Sequence, residues 1–300
     1  MKHTVKINSI IILIFILAQI FGLLVVYNYV DQEASSESGE LEFKKAPLIE
    51  RPQIEEGDSY KFMIIAILVG TIMILVLAKL KARRVWKVWF FLAATICLTI
   101  SFGAFVPEFI AIAMGLILGG LKTYKSNFWI HNITEVFMYG GLAAIFVPIM
   151  NISSVIILLI IIAIYDAIAV WQSKHMIKLA KFQTETNLFA GVDIPYNKKG
   201  EVITEKKIEK KENSKKVVRT EKKSIKRAIL GGGDIGFPLL FAGVIMKSFG
   251  WQTLIITITS TISLFLLLEF SKKEKFYPAM PFLGAGCLIG YGLILLIQVI

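Results

Sequence analysis

The chain has 300 residues, 56% of them hydrophobic and only 18% charged, with a mean hydropathy of +0.69 and a formal net charge of +11. Soluble domains carry about a quarter charged residues, so the composition excludes a soluble enzyme and fits an all-α polytopic membrane protein. Nor does the basic excess point to nucleic acid: 16 of the 33 Lys and Arg lie between Lys174 and Arg227, and most others sit in short segments beside apolar runs, where they set membrane orientation.

Nine apolar runs are candidate spans: about 8–28, 62–80, 86–106, 108–121, 134–150, 152–172, 228–247, 251–270 and 277–299. The fourth is short enough to be re-entrant. The first is of full length with no small-residue cleavage site after it, so it reads as a span rather than a signal peptide.

The flanking charges test this count. Lys2 and Lys6 precede the first span, and the first loop holds nine acids against four bases. A basic second loop (Lys79, Lys81, Arg83, Arg84, Lys87) is followed by a third with only Glu108, a fourth with Lys122 and Lys125, and a nearly chargeless fifth. The sixth holds 16 bases against seven acids, the seventh only Lys247, and the eighth Lys272, Lys273 and Lys275. Positive segments alternate with neutral or acidic ones throughout. The expectation is a multi-pass cell-membrane protein with nine transmembrane helices, N-terminus cytosolic and C-terminus outside. Three parts follow: 1–173 with spans one to six, a long basic cytosolic loop over 174–226, and 227–300 with spans seven to nine.

Within the long loop, Lys198–Lys226 is rich in Lys and Glu and is expected to be disordered. The preceding Leu188–Tyr196 is apolar and partly β-prone. It reads either as an ordered loop covering the helix ends or as a surface segment that pairs with an extended peptide. Cys97 and Cys287 both lie in apolar runs, which excludes a disulfide framework and a cysteine-ligated metal cluster. His3, His131 and His175 are scattered, so no metal and no cofactor is expected. His131 reads as a loop residue. Trp86, Trp89 and Trp129 read as interfacial anchors, and Gly284, Gly286, Gly290 and Gly292 as a packing face.

The chemistry rests on two acids. Sixteen of the 22 lie in the first and sixth loops, and Glu108, Glu135, Glu269 and Glu274 fall at helix ends or in the eighth loop. Asp166 and Asp234 remain, inside apolar helices, where an ionisable group costs roughly 2.5–3.5 kcal/mol to insert and marks a functional site by default. Asp166 lies eight residues before Lys174, and Asp234 seven after Arg227. At 1.5 Å per residue both are about 10–12 Å from the cytosolic boundary, on helices that run antiparallel. No Lys or Arg is expected at that depth. Two carboxylates sharing a dry site do not both ionise easily, so the pair is expected to hold one proton near neutral pH. One member then takes a proton from water while the other polarises a carbonyl, the working state of an aspartic protease. The carboxylates alone fit a proton or cation relay in a transporter equally well.

The surroundings narrow the choice. Gly231-Gly232-Gly233-Asp234, with Gly236 and Pro238, weakens the start of the seventh span and lets another backbone approach. Ala163, Ala167 and Ala169 around Asp166 permit close helix packing. Pro278-Ala279-Met280-Pro281 opens the ninth span with broken helix, tolerated at membrane depth only where it lines a cavity or protein.

Tyr165-Asp166, Gly231-Gly-Gly-Asp234 and Pro278-Ala-Met280, in that order and in the sixth, seventh and ninth spans, resemble the YD, GxGD and PAL motifs of the presenilin and signal-peptide-peptidase family. The resemblance covers nearly the whole chain, whose size is similar to that of the archaeal homologues and whose expected orientation is similar to that of presenilin. Met280 stands where the family has Leu, a substitution of similar volume. The resemblance implies an intramembrane aspartyl protease with Asp166 and Asp234 as the catalytic pair, near the cytosolic side. Tyr165, Gly231 and Gly233 would shape the site. Pro278, Ala279 and Met280 would contact substrate or support the geometry. The implied partners are transmembrane-helix proteins entering laterally from lipid, which must unwind locally before an extended segment pairs with backbone near the site. Prepilin peptidases share a GxGD aspartate but usually carry a cysteine-bearing cytosolic domain and cut near the membrane surface; this chain has no such cysteines.

Overall fold

The computed structural model describes residues 5–39, 41–173, 188–197, 202, 226–271 and 277–299. It opens with α1 (Val5–Asn28), followed in the first loop by β1 (Val30–Asp31), α2 (Gln32–Ser38) and β2 (Glu42–Phe43), the two short strands pairing antiparallel. Helices α3 (Ser59–Lys79), α4 (Arg83–Gly103), α5 (Glu108–Tyr124), α6 (Phe128–Phe146) and α7 (Ile152–Ile168) follow in close succession. Strand β3 (Gly191–Tyr196) pairs antiparallel with β4 (Lys226–Gly231), and α8 (Gly232–Phe249), α9 (Leu254–Phe270) and α10 (Met280–Val299) complete the described chain.

Among the described residues seven stretches are long and apolar enough to cross a membrane, and the longest, Gly232–Phe270, contains both α8 and α9. These two part at Gly250, whose φ of +54° a side chain would strain. Helix α5 has 17 residues, about 26 Å at 1.5 Å per residue, a little short of the ~30 Å hydrocarbon core. Leu13, Ile65, Val69, Ile72, Ile117, Ile262, Ile289 and Leu296 stand exposed on the outer faces. A hydrocarbon solvent accepts such faces; water does not.

Helix α1 packs with one face against α6, α8 and α9, with Ile7, Ile11, Phe15 and Leu23 fully buried. Small residues set the spacing elsewhere. A Cβ on Gly115 would lie 2.1 Å from Thr99 Oγ1, which joins α4 to α5, and one on Gly290 would lie 2.4 Å from Thr259 Oγ1, which joins α9 to α10. Gly286 packs on Ser263 in the same way, whereas Gly292 of the expected packing face has nothing within 4 Å. The tightest approach is Gly141 of α6, where a Cβ would come 1.8 Å from the Cys97 carbonyl oxygen of α4. Gly141→Ala must therefore push two helices apart. We expect a loss of about 1–3 kcal/mol, read as a lower Tm in detergent; an unchanged Tm would show that α4 and α6 do not meet so closely.

The first loop is tied down by Arg51. Its guanidinium lies 5.8 Å from the ring centres of Tyr29 and Phe43, and its Nε donates to Ala144 O at 3.3 Å. Tyr29 Oη donates in turn to Ile100 O at 2.8 Å, and burial pushes the Tyr29 phenol up to about 12.

Three sequence expectations shift. The fifth span begins at Phe128 rather than 134, because Asn127 caps α6 by accepting Ile130 N–H at 2.8 Å, and its polar first turns find buried partners. The seventh begins at Gly232 rather than 228: the apolar run before it is strand, which hydropathy alone does not separate from helix. Trp86 is no interfacial anchor. It is 3% exposed and packs with Phe90 and Leu188, whereas Trp89 and Trp129 are exposed as expected. The expected disorder of Lys198–Lys226 lies outside the described residues, apart from Val202 and Lys226.

Candidate active site

Three helices meet around the two expected carboxylates: α7, α8 and α10 pack on one another in all three pairings. Asp166 is half-buried near the end of α7, which closes two residues later and continues as a π-helical turn over Ala169–Ser173. Its Oδ2 accepts the backbone N–H of Met280 at 3.1 Å.

The local sequence explains this contact. The Ala279 carbonyl accepts the N–H groups of Phe282 and Leu283 at 3.1 and 3.0 Å, so Ala279 occupies the cap position of α10. A methyl group cannot cap, and the first amides of a helix have no partner within it. Asp166 supplies the missing oxygen from α7. Pro278 is buried just before the cap. The Met280 side chain is 3% exposed and belongs to the main apolar core, so Met280 faces the site through its backbone.

Asp234 stands in a matching place on α8. Gly231 is the N-cap, with extended dihedrals and no side chain to offer, and Asp234 is the third helical residue after it. The carboxylate turns back on the cap, as the acid of a capping box does, and its Oδ2 would lie 3.2 Å from a Cβ on Gly231. A side chain at 231 would crowd that oxygen by a few tenths of an ångström. Gly233 is exposed, with only Phe237 near its missing side chain. Pro238 removes the N–H that would bond the Asp234 carbonyl in the next turn.

The carboxylates of Asp166 and Asp234 are near enough that the charge of one acts on the other. Asp234 lies in the first turn of α8 and the Asp166 carboxylate lies on the first amide of α10, and at both helix starts the aligned peptide dipoles favour negative charge. Tyr165 precedes Asp166 on α7 and is half-buried. Among the described residues, no three His, Cys, Asp or Glu side chains are grouped to hold a metal ion.

The structure adds residues that the sequence placed in a loop or, for Glu135, at a helix end. His131 and Asn132 are buried in the first turn of α6, and Glu135 is fully buried one turn on. Lys122 of α5 is 1% exposed, and its Nζ donates to Glu135 Oε1 at 2.6 Å and to Thr134 Oγ1 at 3.2 Å. A cation does therefore enter the interior, but its charge is taken up by Glu135. Tyr139 Oη donates a short hydrogen bond to the other Glu135 oxygen. The Tyr139 ring runs along the first turn of α8: a Cβ on Gly232 would lie 2.7 Å from its Oη, and one on Gly236 3.7 Å from its Cδ1. One signal was available, since His131, Glu135 and Tyr139 are spaced four apart and mark a polar stripe on one helix face.

The other end of that stripe holds the two-stranded sheet. Gly191 pairs with Gly231 and Tyr196 with Lys226, so the register ends on the residue before α8. The His131 ring Nε2 bonds Gly191 O at 2.8 Å. Asn132 bonds Asp193 twice, donating to its carbonyl at 3.1 Å and accepting its N–H at 3.2 Å. The expected β-prone segment is thus a strand, and its partner is this chain's own β4. Its outer edge is taken by α6.

The family model described as signal-peptide peptidase, presenilin aspartyl protease matches residues 12–300. No curated protein matches the chain. Two solved structures, each described as a presenilin family intramembrane aspartate protease, share the fold. The one in space group C222 has a TM-score of 0.59 at 20% identity and covers 94% of both chains. The one in space group P2 has a TM-score of 0.62 at 19% identity and covers 96% of both. The chain belongs to the signal-peptide peptidase and presenilin family, and it is an intramembrane aspartyl protease.

Proposed function

We propose that Asp166 and Asp234 are the catalytic pair and that they hydrolyse peptide bonds within transmembrane segments of substrate proteins. The observation that carries this reading is that α7, α8 and α10 all pack on one another, with Asp234 in the first turn of α8 and the Asp166 carboxylate on the first amide of α10. One carboxylate is charged and the other protonated. The charged one takes a proton from water, and the protonated one donates to the scissile carbonyl oxygen as the water oxygen attacks the carbonyl carbon. The tetrahedral diol collapses when its nitrogen is protonated and the C–N bond breaks, leaving a new carboxyl and a new amine. The two helix ends offset part of the cost of one negative charge in a dry site.

Gly231 keeps the space that the Asp234 carboxylate fills, Gly233 leaves the opposite side open to a passing backbone, and Tyr165 walls the site beside Asp166. Pro278 and Ala279 stop α10 so that the Met280 amide is free to hold Asp166. The protein crosses the cell membrane nine times, N-terminus cytosolic, with spans one to six before the long loop and seven to nine after it. The positive loops support this orientation and a site toward the cytosol.

The substrate is a helical segment that enters from lipid and unwinds. In an antiparallel pair, a residue whose backbone groups face outward stands opposite another that also faces outward. Asp193 turns its N–H and C=O to Asn132, so its partner Ile229 turns its own to the far side of β4. Among the described residues no third strand lies there. An unwound substrate pairs along that edge as the third strand, which leads its backbone to Gly231 and Asp234. Ile229→Pro deletes one outward donor and none of the bonds to β3. We expect KM to rise about tenfold, as loss of a good hydrogen bond allows, with kcat within about threefold; an unchanged KM would remove the strand-pairing step.

The function itself is tested with purified protein and a single-span peptide. Products whose masses place the cut inside the apolar segment support the reading. A cut only outside that segment, or none from folded protein, contradicts it.

A further inference from the structure

We propose that Tyr139 positions Asp234: its hydroxyl, fixed by the buried Lys122–Glu135 ion pair, rests on the Gly232 backbone and sets the place of the first turn of α8. The inference rests on the reading of Asp234 as a catalytic group.

Tyr139 is 6% exposed, and its hydroxyl proton is committed to Glu135. Glu135 is held through its other oxygen by Lys122, both side chains being shut off from solvent. A hydrogen bond to a charged acceptor is about twice as strong as a neutral one, so the phenol has one place to be. Its oxygen then occupies the space beside the Gly232 Cα, where a Cβ would be only 2.7 Å away. The Gly232 N–H donates to Ala190 O at 3.2 Å, and the same Cβ would lie 3.3 Å from that oxygen. Gly232 is thus held by a phenol and by the carbonyl of Ala190, just before β3, two residues before Asp234. The phenol is near enough to Asp234 to feel its charge.

The bare middle position of Gly231-Gly232-Gly233 and the tyrosine at 139 therefore explain each other. The phenol takes the room that a side chain at 232 would need. A shift of about 1 Å in a reacting group can cost on the order of 10²-fold in rate, so this support acts on the chemical step rather than on substrate binding.

The test measures kcat and KM on a single-span peptide for the wild type, Tyr139→Phe, Gly232→Ala and the double variant, with Tm as a fold control. Tyr139→Phe is expected to lower kcat about tenfold and leave KM within about twofold, the pattern of an interaction used in the transition state. Gly232→Ala is expected to lower kcat further, because its methyl strikes the phenol oxygen. The double variant is expected to recover part of that loss, since phenylalanine has no oxygen there. Wild-type kcat in Tyr139→Phe, a double variant no better than Gly232→Ala, or a change in KM alone would overturn the proposal. Where Tyr139→Phe does not fold, Gly232→Ala decides alone: wild-type kcat there overturns it as well. Asp234→Asn, run in parallel, separates this proposal from its premise. If that variant is active, the catalytic reading fails; if it is dead while Tyr139→Phe is unimpaired, only the positioning role fails.

Discussion

Asp166→Asn and Asp234→Asn are each expected to abolish cleavage, by on the order of 10⁴-fold or more, while the protein stays folded. The two residues act as one unit, so removing either is expected to cost about as much as removing both. An amide keeps the size of the carboxyl but neither takes a proton from water nor carries the negative charge that both helix ends favour. The fold should survive for a reason visible in the contacts. In Asp166→Asn the side-chain amide keeps an oxygen for the Met280 N–H, so α10 keeps its cap, and in Asp234→Asn the side chain keeps its size beside Gly231. Peptide turnover and Tm on the same preparations check this. Residual turnover above about one per cent in either variant would remove that residue from the pair.

The largest expected effect on stability lies away from the aspartates. Lys122→Met leaves the Glu135 carboxyl without its cation in an interior where both side chains were closed to solvent. Breaking a buried pair from one side costs about 3–5 kcal/mol, or a drop in Tm on the order of 10 °C. Lys122→Met with Glu135→Gln removes both charges together and is expected to restore a good part of the loss. The single variant should also lose activity, since Glu135 no longer holds Tyr139 in place. Thermal unfolding in detergent reads the first effect. A double variant no more stable than the single one would show that the pair is not what Lys122 contributes.

Much of this molecule was legible before the structure. Nine apolar runs correspond to nine helices of 17 residues or more among the described residues, because a helix is the natural way for an apolar segment to satisfy its own backbone in lipid. Asp166 and Asp234 stood out for the same reason: a lone acid in an apolar run demands an explanation. The glycines before Asp234 and Pro278 before α10 mark weak points in the sequence, and they are helix starts whose caps lack side-chain oxygens.

What the sequence concealed lies between segments. Lys122 looked like a loop charge and Glu135 like one at a helix end. Only the tight turn between α5 and α6 brings them face to face and turns two apparent surface groups into an interior pair. The polar residues His131, Asn132 and Glu135 lowered the local hydropathy and hid the start of α6, although each is satisfied by a partner on another segment. Strand β4 was hidden by its own hydrophobicity. Ala228, Ile229 and Leu230 run on into α8 without a polar break, and only pairing with β3 shows that they are extended. Hydropathy measures a segment against its solvent; these features depend on a neighbour.

The most direct test of the paired aspartates is the binding of a transition-state mimic. A single-span peptide whose scissile amide is replaced by a tetrahedral carbon bearing a hydroxyl should bind much more tightly than its counterpart with a plain methylene, because the hydroxyl stands where the diol oxygen would form. Kd for both peptides would be measured on the wild type, Asp166→Asn and Asp234→Asn. The expected result is a preference for the hydroxyl peptide of at least about a hundredfold in the wild type, lost in each variant. Equal binding of the two peptides by the wild type, or a preference that survives either substitution, would contradict a shared water between Asp166 and Asp234.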